Sequence, residues 1–407
     1  MMKTMKTTGL MMATGLATLA MLQPAMALDA DAFVDRIEAV YGAMGYEFTF
    51  GPATAEGSTI TIDGVTISIT GMDEEPLELD TVLTFTGVEE FEDGSYTAQE
   101  LTVPDVDTEF ASDPVGHISV TGMVMQDLWL PPEGDTSAEA MMQTVGRMAS
   151  GPLVISRDGA EIIKIDGMEA VNDFAFAGDD SLESITSKVI ISNIWADLST
   201  VGEEEPEAGA VIEALGLTTI SGNISQSMVW TMADGHLVVD EGKMDFDNIG
   251  ALDVTFDITG FTLDVLDKLY ALQASDVDPT SEEGQAQQMM LGMEMAQALS
   301  IVGANVRYDD AGLAGKLLDM FAAQAGVDRA QFVESIKPTL PALVGQAGIP
   351  ALTEMVVPAV NTFLDDPQSF EVTVAPPSPT SMLVLAAAAA NPAGLLTAMG
   401  LKVTANQ

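Results

Sequence analysis

The stretch "DVTFDITGF" (residues 253–261) alternates apolar and polar residues up to a glycine. Val254, Phe256 and Ile258 are apolar, their neighbours are aspartate or threonine, and Gly260 ends the pattern. Successive side chains of an extended strand point to opposite faces of a sheet. The stretch therefore predicts a strand with one apolar face, which is typical of an antiparallel sheet.

The same phrase recurs twice in the first third of the chain. It is written "GVTISITGM" at residues 64–72 and "GHISVTGM" at residues 116–123. A glycine at the end of a strand permits a bulge or a sharp exit of the chain. The copies lie at unequal intervals, which leaves two interpretations open: ordinary strand construction or a degenerate structural repeat. In both cases the phrase indicates how a sheet is built, and this explains it better than a binding motif does.

The order of the patterns predicts an α+β fold. An amphipathic helix at residues 29–44 is followed by alternating strands, which predict an antiparallel β-rich domain at 28–200 with strands buried on one face. The run "VGEEEPEAG" at 201–209 combines acids, proline and glycine and is predicted to be a linker. Residues 210–407 are predicted to form an α+β domain, in which a mixed sheet is accompanied by several C-terminal helices.

The first 27 residues are typical of a secretory signal peptide. Lys3 and Lys6 precede an apolar run at 10–22, and the segment ends in Ala-Met-Ala. Cleavage is predicted after Ala27, which predicts a periplasmic protein without a transmembrane segment. The run is shorter than the roughly 20 residues that span a bilayer, so a retained anchor is the less favoured alternative.

The charge of the chain is strongly acidic. There are 62 acidic and 14 basic residues, for a formal net charge of −48. Such a surface repels nucleic acid, which is therefore not expected as a partner. Salt adaptation and cation binding both remain open. Asp245, Asp247 and Asn248 are the best candidate calcium ligands, although their spacing differs from that of the twelve-residue calcium loop and a hairpin turn is the alternative.

Catalytic motifs are sparse. The chain contains no cysteine and two histidines, His117 and His236, and it has no nucleophile elbow, zinc-protease motif or phosphate-binding loop. A non-enzymatic protein without a cofactor is therefore predicted. A hydrolase that uses carboxylates alone is the alternative from another class, because acids are abundant.

One feature favours an apolar ligand. Met289, Met290 and Met293 crowd a predicted helix, and methionine adapts to irregular apolar surfaces, although it also serves as core filler. A curved sheet covered incompletely by such helices would leave a groove for a lipid or another amphipathic ligand. The candidate ligand-binding residues are these three methionines together with the strand residues Val254, Phe256 and Ile258.

The C-terminal half carries a resemblance to a known group. From residue 212 onward the chain resembles exported, functionally uncharacterised alphaproteobacterial proteins, on the stretches "DGHLVVDEGKMDFDNIGALDVTFDITGF", "FLDDPQSFEVTVAPPSP" and "LKVTANQ". The strands that end in glycine are also loosely similar to the strands of AsmA-like envelope proteins. The long sheets of those proteins are linked to lipid handling. The first resemblance implies a periplasmic or envelope location and brings no known active residues.

Together these features predict a non-enzymatic, soluble periplasmic protein with a binding or structural role in the cell envelope. Its partner would be a hydrophobic ligand or another envelope protein. A carrier of an amphipathic ligand and a carboxylate-based hydrolase are the alternatives.

Overall fold

The computed structural model describes residues 28–69, 77–112, 114–179, 181–273, 281–388 and 392–407. The predicted signal peptide and the end of the phrase at 64–72 lie outside these residues. Among the described helices, none has both the length and the apolar character needed to cross a bilayer.

The first part of the chain is one helix followed by nine strands. These elements are α1 (Ala30–Ala43), β1 (Tyr46–Phe50), β2 (Ala53–Glu56), β3 (Thr59–Ile69), β4 (Leu77–Thr86), β5 (Glu89–Glu90), β6 (Tyr96–Val103), β7 (Val106–Ser112), β8 (Val115–Val120) and β9 (Met123–Leu130). Helix α1 begins where the Asp29 carboxylate accepts the backbone N–H groups of Asp31 and Ala32.

The main core lies between α1 and the strands around it. Phe33 is 1% exposed and packs edge to face against Phe85 and Tyr96. Ile60 and Ile62 point into the same core and are fully buried. The alternation along β3 therefore buries one face of the strand, as the sequence pattern predicts.

The middle of the chain is β-rich and contains three helices. Its elements are α2 (Ala138–Met142), β10 (Val145–Ser150), β11 (Leu153–Arg157), β12 (Ala160–Ile165), β13 (Gly167–Phe176), β14 (Leu182–Asp197), α3 (Val201–Glu204), α4 (Pro206–Leu215), β15 (Thr219–Thr231), β16 (His236–Phe246) and β17 (Gly250–Thr259).

The last part is largely helical. It consists of α5 (Leu263–Gln273), α6 (Glu282–Ala298), β18 (Ser300–Asp310), α7 (Leu313–Ala325), α8 (Arg329–Ile336), a 3-10 turn (Lys337–Thr339), α9 (Leu340–Gly345), α10 (Pro350–Asp365), β19 (Ser369–Val374), β20 (Thr380–Ser381), α11 (Met382–Ala388), α12 (Pro392–Met399) and β21 (Lys402–Ala405).

All described strands join one antiparallel sheet. Its spine runs β3–β4–β6–β9–β10–β13–β14–β15–β16–β17–β18–β19–β21, and a branch of β7, β8, β11 and β12 joins it at β14. The predicted α+β class is thus confirmed. The C-terminal sheet, which we predicted to be mixed, is antiparallel in every pairing that the described residues make, because each connecting helical segment returns the chain in the opposite direction.

The residues predicted to be a linker are not an extended spacer. Residues 201–209 form α3 and the first part of α4, which begins with Pro206. The strands on either side of these helices, β14 and β15, pair directly from Ser184–Thr231 to Asp197–Thr219. The two regions predicted from the sequence consequently share one continuous sheet.

Candidate ligand-binding face

The opening phrase lies in the middle of the C-terminal sheet. In β17, Val254, Phe256 and Ile258 point to one side of the sheet, and Asp253 and Asp257 point to the other. We call the first side, across β10 and β13–β19 with β21, the apolar face, and the second side the polar face.

A row of directly opposed residues crosses nine strands of the apolar face. Strand register gives its members in spatial order as Met148, Ala170, Val189, Gln226, Gly242, Val254, Val306, Val372 and Val403. Gly242 is placed beside Val254, because a Cβ at this glycine would lie 2.6 Å from the Val254 carbonyl oxygen. With strands spaced about 4.8 Å apart, the row is about 38 Å long.

The two neighbouring rows are also uncharged. Toward one strand end lie Met168, Ile191, Ile224, Met244, Leu252, Tyr308, Phe370 and Ala405. Toward the other lie Asn172, Ser187, Met228, Val239, Phe256, Ala304 and Val374. An antiparallel sheet that leaves such a face open to water loses the stabilisation that burial would give, so this face is suited to an apolar partner.

Helices cover the apolar face near both strand ends and leave its middle open. At one end, Leu263 and Leu266 of α5 pack on the cluster formed by Ile185 and the buried Trp230. In the central row, Met148 and Val306 are 48% and 44% exposed, and in the row beside it Met244 is 47% exposed. These values distinguish an uncovered surface from a packed core.

An apolar pocket lies at the other strand end, between the sheet and two helices. Its volume is about 410 Å³, which is within the range of small-molecule sites. Helix α7 contributes Leu313, Ala314 and Leu317, helix α10 contributes Val360 and Phe363, and the strands contribute Tyr308 and Phe370. Because Tyr308 and Phe370 belong to a row of the apolar face, the pocket is continuous with that face.

The one polar group among the pocket side chains is occupied elsewhere. The Tyr308 hydroxyl shares its proton between the Ile249 carbonyl oxygen, at 2.6 Å, and the Asp310 carboxylate, at 2.9 Å. Burial and the hydrogen bond to Asp310 raise the pKa of Tyr308 above its ordinary value, so the hydroxyl stays neutral. Tyr308 thus offers the pocket an aromatic ring and no free charge.

Charged groups are concentrated on the polar face. Arg147 pairs with Glu169 at 2.7 Å, and its other Nη donates to Gln126 at 3.0 Å. Arg307 likewise pairs with Glu371 on the next strand at 3.4 Å. The sheet therefore has two chemically distinct sides, and the uncharged one faces the pocket.

The structure places the two halves of the predicted ligand-binding set in different surroundings. Val254, Phe256 and Ile258 are half-buried on the apolar face. Met289, Met290 and Met293 are 66%, 72% and 59% exposed on α6, which packs on α5, α11 and β20. The three methionines are therefore not core filler, and their exposed sides point away from the helices that support them.

The pocket residues of α7, α10 and β19 were not in the predicted set. The alternation "SFEVTV" at β19 signals a one-faced strand, and α7 and α10 are amphipathic in sequence. These signals predict apolar surfaces, but the meeting of three elements far apart in the chain is visible only in the fold.

Two of the predicted calcium ligands, Asp247 and Asn248, lie in the hairpin turn between β16 and β17, and the third, Asp245, lies near the end of β16. Asp245 pairs with Lys243 at 3.1 Å, Asp247 accepts the Ser221 hydroxyl at 2.8 Å, and Asn248 has φ +60°. Within the described ranges, no group of three histidine, cysteine or acidic side chains is placed to hold a metal ion. This geometry corresponds to the turn that was the alternative interpretation.

Each histidine pairs with an aspartate on the neighbouring strand. His117 lies 2.8 Å from Asp107, and His236 lies 2.7 Å from Asp257. Both histidine side chains are more than a third exposed, and the two pairs join β8 to β7 and β16 to β17. Their contacts link adjacent strands.

Part of the chain matches a known group of proteins. A family model described as "Uncharacterized protein" matches residues 243–406, which run from the end of β16 through β21. The matched region contains the pocket and four of the nine strands that form the apolar face, β17, β18, β19 and β21. No curated protein matches the chain.

Proposed function

We propose that the protein is a non-enzymatic binding protein that carries a lipid or another amphipathic ligand on its apolar face. The observation that supports this most directly is the apolar pocket at α7 and α10, which is continuous with an open apolar face. An aliphatic chain would fill the pocket without meeting a charge, and each buried methylene would contribute about 0.8 kcal/mol.

The arrangement favours a carrier over the alternatives from the sequence. A carboxylate-based hydrolase needs acids beside its substrate, whereas the three rows of the apolar face and the pocket contain none. A purely structural role needs no open pocket. A binding role in the cell envelope, as the resemblances to exported and AsmA-like proteins imply, agrees with an apolar ligand.

Filling the pocket is expected to weaken the binding of an aliphatic probe. In the Ala314→Trp variant the indole would occupy the space between α7 and α10. Loss of contact with even two methylenes costs about 1.6 kcal/mol, so we expect affinity for a pyrene-labelled alkane to fall at least about tenfold. Fluorescence titration of the delipidated protein measures this.

A matched control lies on the same helix. Ala323 is exposed on α7 and does not line the pocket, so Ala323→Trp should bind the probe like the unmodified protein. Equal affinities of the two variants would overturn the proposed site, and failure of the unmodified protein to bind any aliphatic probe would overturn the proposed function.

The location is part of the proposal. If residues 1–27 are an export signal, the protein in the periplasmic fraction should begin at Leu28, because cleavage is predicted after Ala27. Fractionation followed by mass spectrometry of the N-terminal peptide tests this. An intact N-terminus in the cytoplasmic fraction would contradict export.

A further inference from the structure

Among the described residues, the apolar face has a group of polar side chains that lies away from the strand ends. Asn172 on β13 lies directly opposite Ser187 on β14, and Gln226 on β15 lies diagonally across from Ser187, about 7 Å away. We call these three residues the polar island. Around it the rows are apolar, with Val189, Ala170 and Met228 as neighbours.

The island has unused hydrogen-bonding capacity. Gln226 is exposed, and no hydrogen bond among the described residues involves its side chain or that of Ser187. Asn172 donates its amide to the Val145 carbonyl oxygen at 3.1 Å, and this leaves its side-chain oxygen free to accept. An amide, a hydroxyl and a carboxamide oxygen offer both donors and acceptors and no charge.

The spacing between the island and the pocket matches one lipid chain. Gln226 on β15 is three strand spacings, about 14 Å, from β18, and Tyr308 lies two residues, about 7 Å, further along that strand, which places Gln226 about 16 Å from Tyr308 at the pocket. One leaflet of a bilayer, half of the roughly 30 Å hydrocarbon core, has about the same depth. The apolar surface between the two sites is formed at Gly242 and Val254, which are small and uncharged residues.

We propose that the polar island recognises the uncharged, hydrogen-bonding headgroup of a single-chain amphiphile whose tail extends to the pocket. This inference rests on the proposed carrier function and narrows its ligand class. The charges that the apolar face offers determine which class of headgroup the polar island can recognise. The three rows of the apolar face supply neither a cation for a phosphate or carboxylate nor a carboxylate for an ammonium, and the net charge of −48 repels anions.

The test compares the binding of three amphiphiles that differ in the charge of the headgroup and have tails of the same length. The full chain is titrated with monopalmitoylglycerol, palmitate and palmityl trimethylammonium below their micelle concentrations, each in competition with the pyrene-labelled alkane. We expect the neutral glyceride to bind at least about tenfold more tightly than either charged amphiphile, since a buried unpaired charge is costly.

Variants separate recognition of the headgroup from binding of the tail. Gln226→Leu should weaken the glyceride about five- to tenfold, which is the loss of one or two hydrogen bonds. The alkane probe has no hydrogen-bonding headgroup and should bind at least as tightly to the more apolar face. Ser187→Ala should act in the same direction with a smaller loss. Gln297→Leu, an exposed position on α6, is the matched control and should change neither ligand.

Each outcome is decisive. If the alkane binds but Gln226→Leu leaves the headgroup preference unchanged, the island is not the recognition site although the carrier function stands. If a charged amphiphile binds best, the assigned ligand class is wrong. If no amphiphile binds and light scattering shows a dimer instead, a second copy covers the face and both proposals fail.

Discussion

Replacing Phe33 by alanine is expected to lower the free energy of unfolding by about 3–5 kcal/mol. Phe33 is 1% exposed, and its ring lies 5.0 Å from that of Phe85 and 5.4 Å from that of Tyr96, both in edge-to-face geometry. The substitution removes these contacts and leaves a cavity that Ile60 and Ile62, which are held in β3, cannot fill. Equilibrium denaturation in urea measures the change.

The control for this prediction is an exposed phenylalanine on an edge strand. Phe110 on β7 is 56% exposed, so Phe110→Ala should change the free energy of unfolding by no more than about 0.5 kcal/mol. Similar losses in the two variants would show that the core between α1 and the sheet does not dominate stability.

The second large effect is expected at Gly260, the glycine that ends the phrase in β17. Its φ is +87°, and a Cβ at this position would overlap the carbonyl oxygen of Ala298 at the end of α6. Gly260→Ala therefore combines a left-handed backbone, about 1–2 kcal/mol, with an overpacked contact of about 1–3 kcal/mol. We expect a loss of about 2–5 kcal/mol by thermal or chemical denaturation.

Gly45 separates these two contributions. Its φ is +90°, almost the same as that of Gly260, but no other group lies within 4 Å of the place that a Cβ would occupy. Gly45→Ala should therefore lose only the backbone contribution of about 1–2 kcal/mol. If Gly45→Ala were as destabilising as Gly260→Ala, the close approach of α6 to the end of β17 would contribute nothing to the loss of stability at Gly260.

Alternation along the chain predicted the strands well, because it depends only on neighbouring residues. Val254, Phe256 and Ile258 share a face for the geometric reason stated at the outset, and the glycine after them marks the exit toward α5. The pocket depends instead on pairing between β18 and β19 and on helices from separate parts of the chain. The alternation of neighbouring residues does not indicate which apolar surfaces pack against each other in the fold.

The methionine-rich helix shows a second limit of sequence reasoning. Leu291 and Met295 of α6 are half-buried, whereas Met289, Met290 and Met293 lie on its exposed side. A helix with apolar residues on two sides has no single direction of amphipathicity, so the sequence alone could not identify the inward side. Gln226 was missed for a related reason, since its place beside Ser187 follows from register and not from its neighbours in the chain.

Strand β14 has a consequence for the order in which the chain folds. One part of it pairs with β13, its far end pairs with β12, and its other edge pairs with β15. The hairpins β15–β16 and β16–β17 close over short turns and need little loop-closure entropy. The branch through β12 joins the spine at β14, so β14 must be in place before the branch can attach. Folding should therefore proceed from the central meander outward, with the branch among the later parts to join.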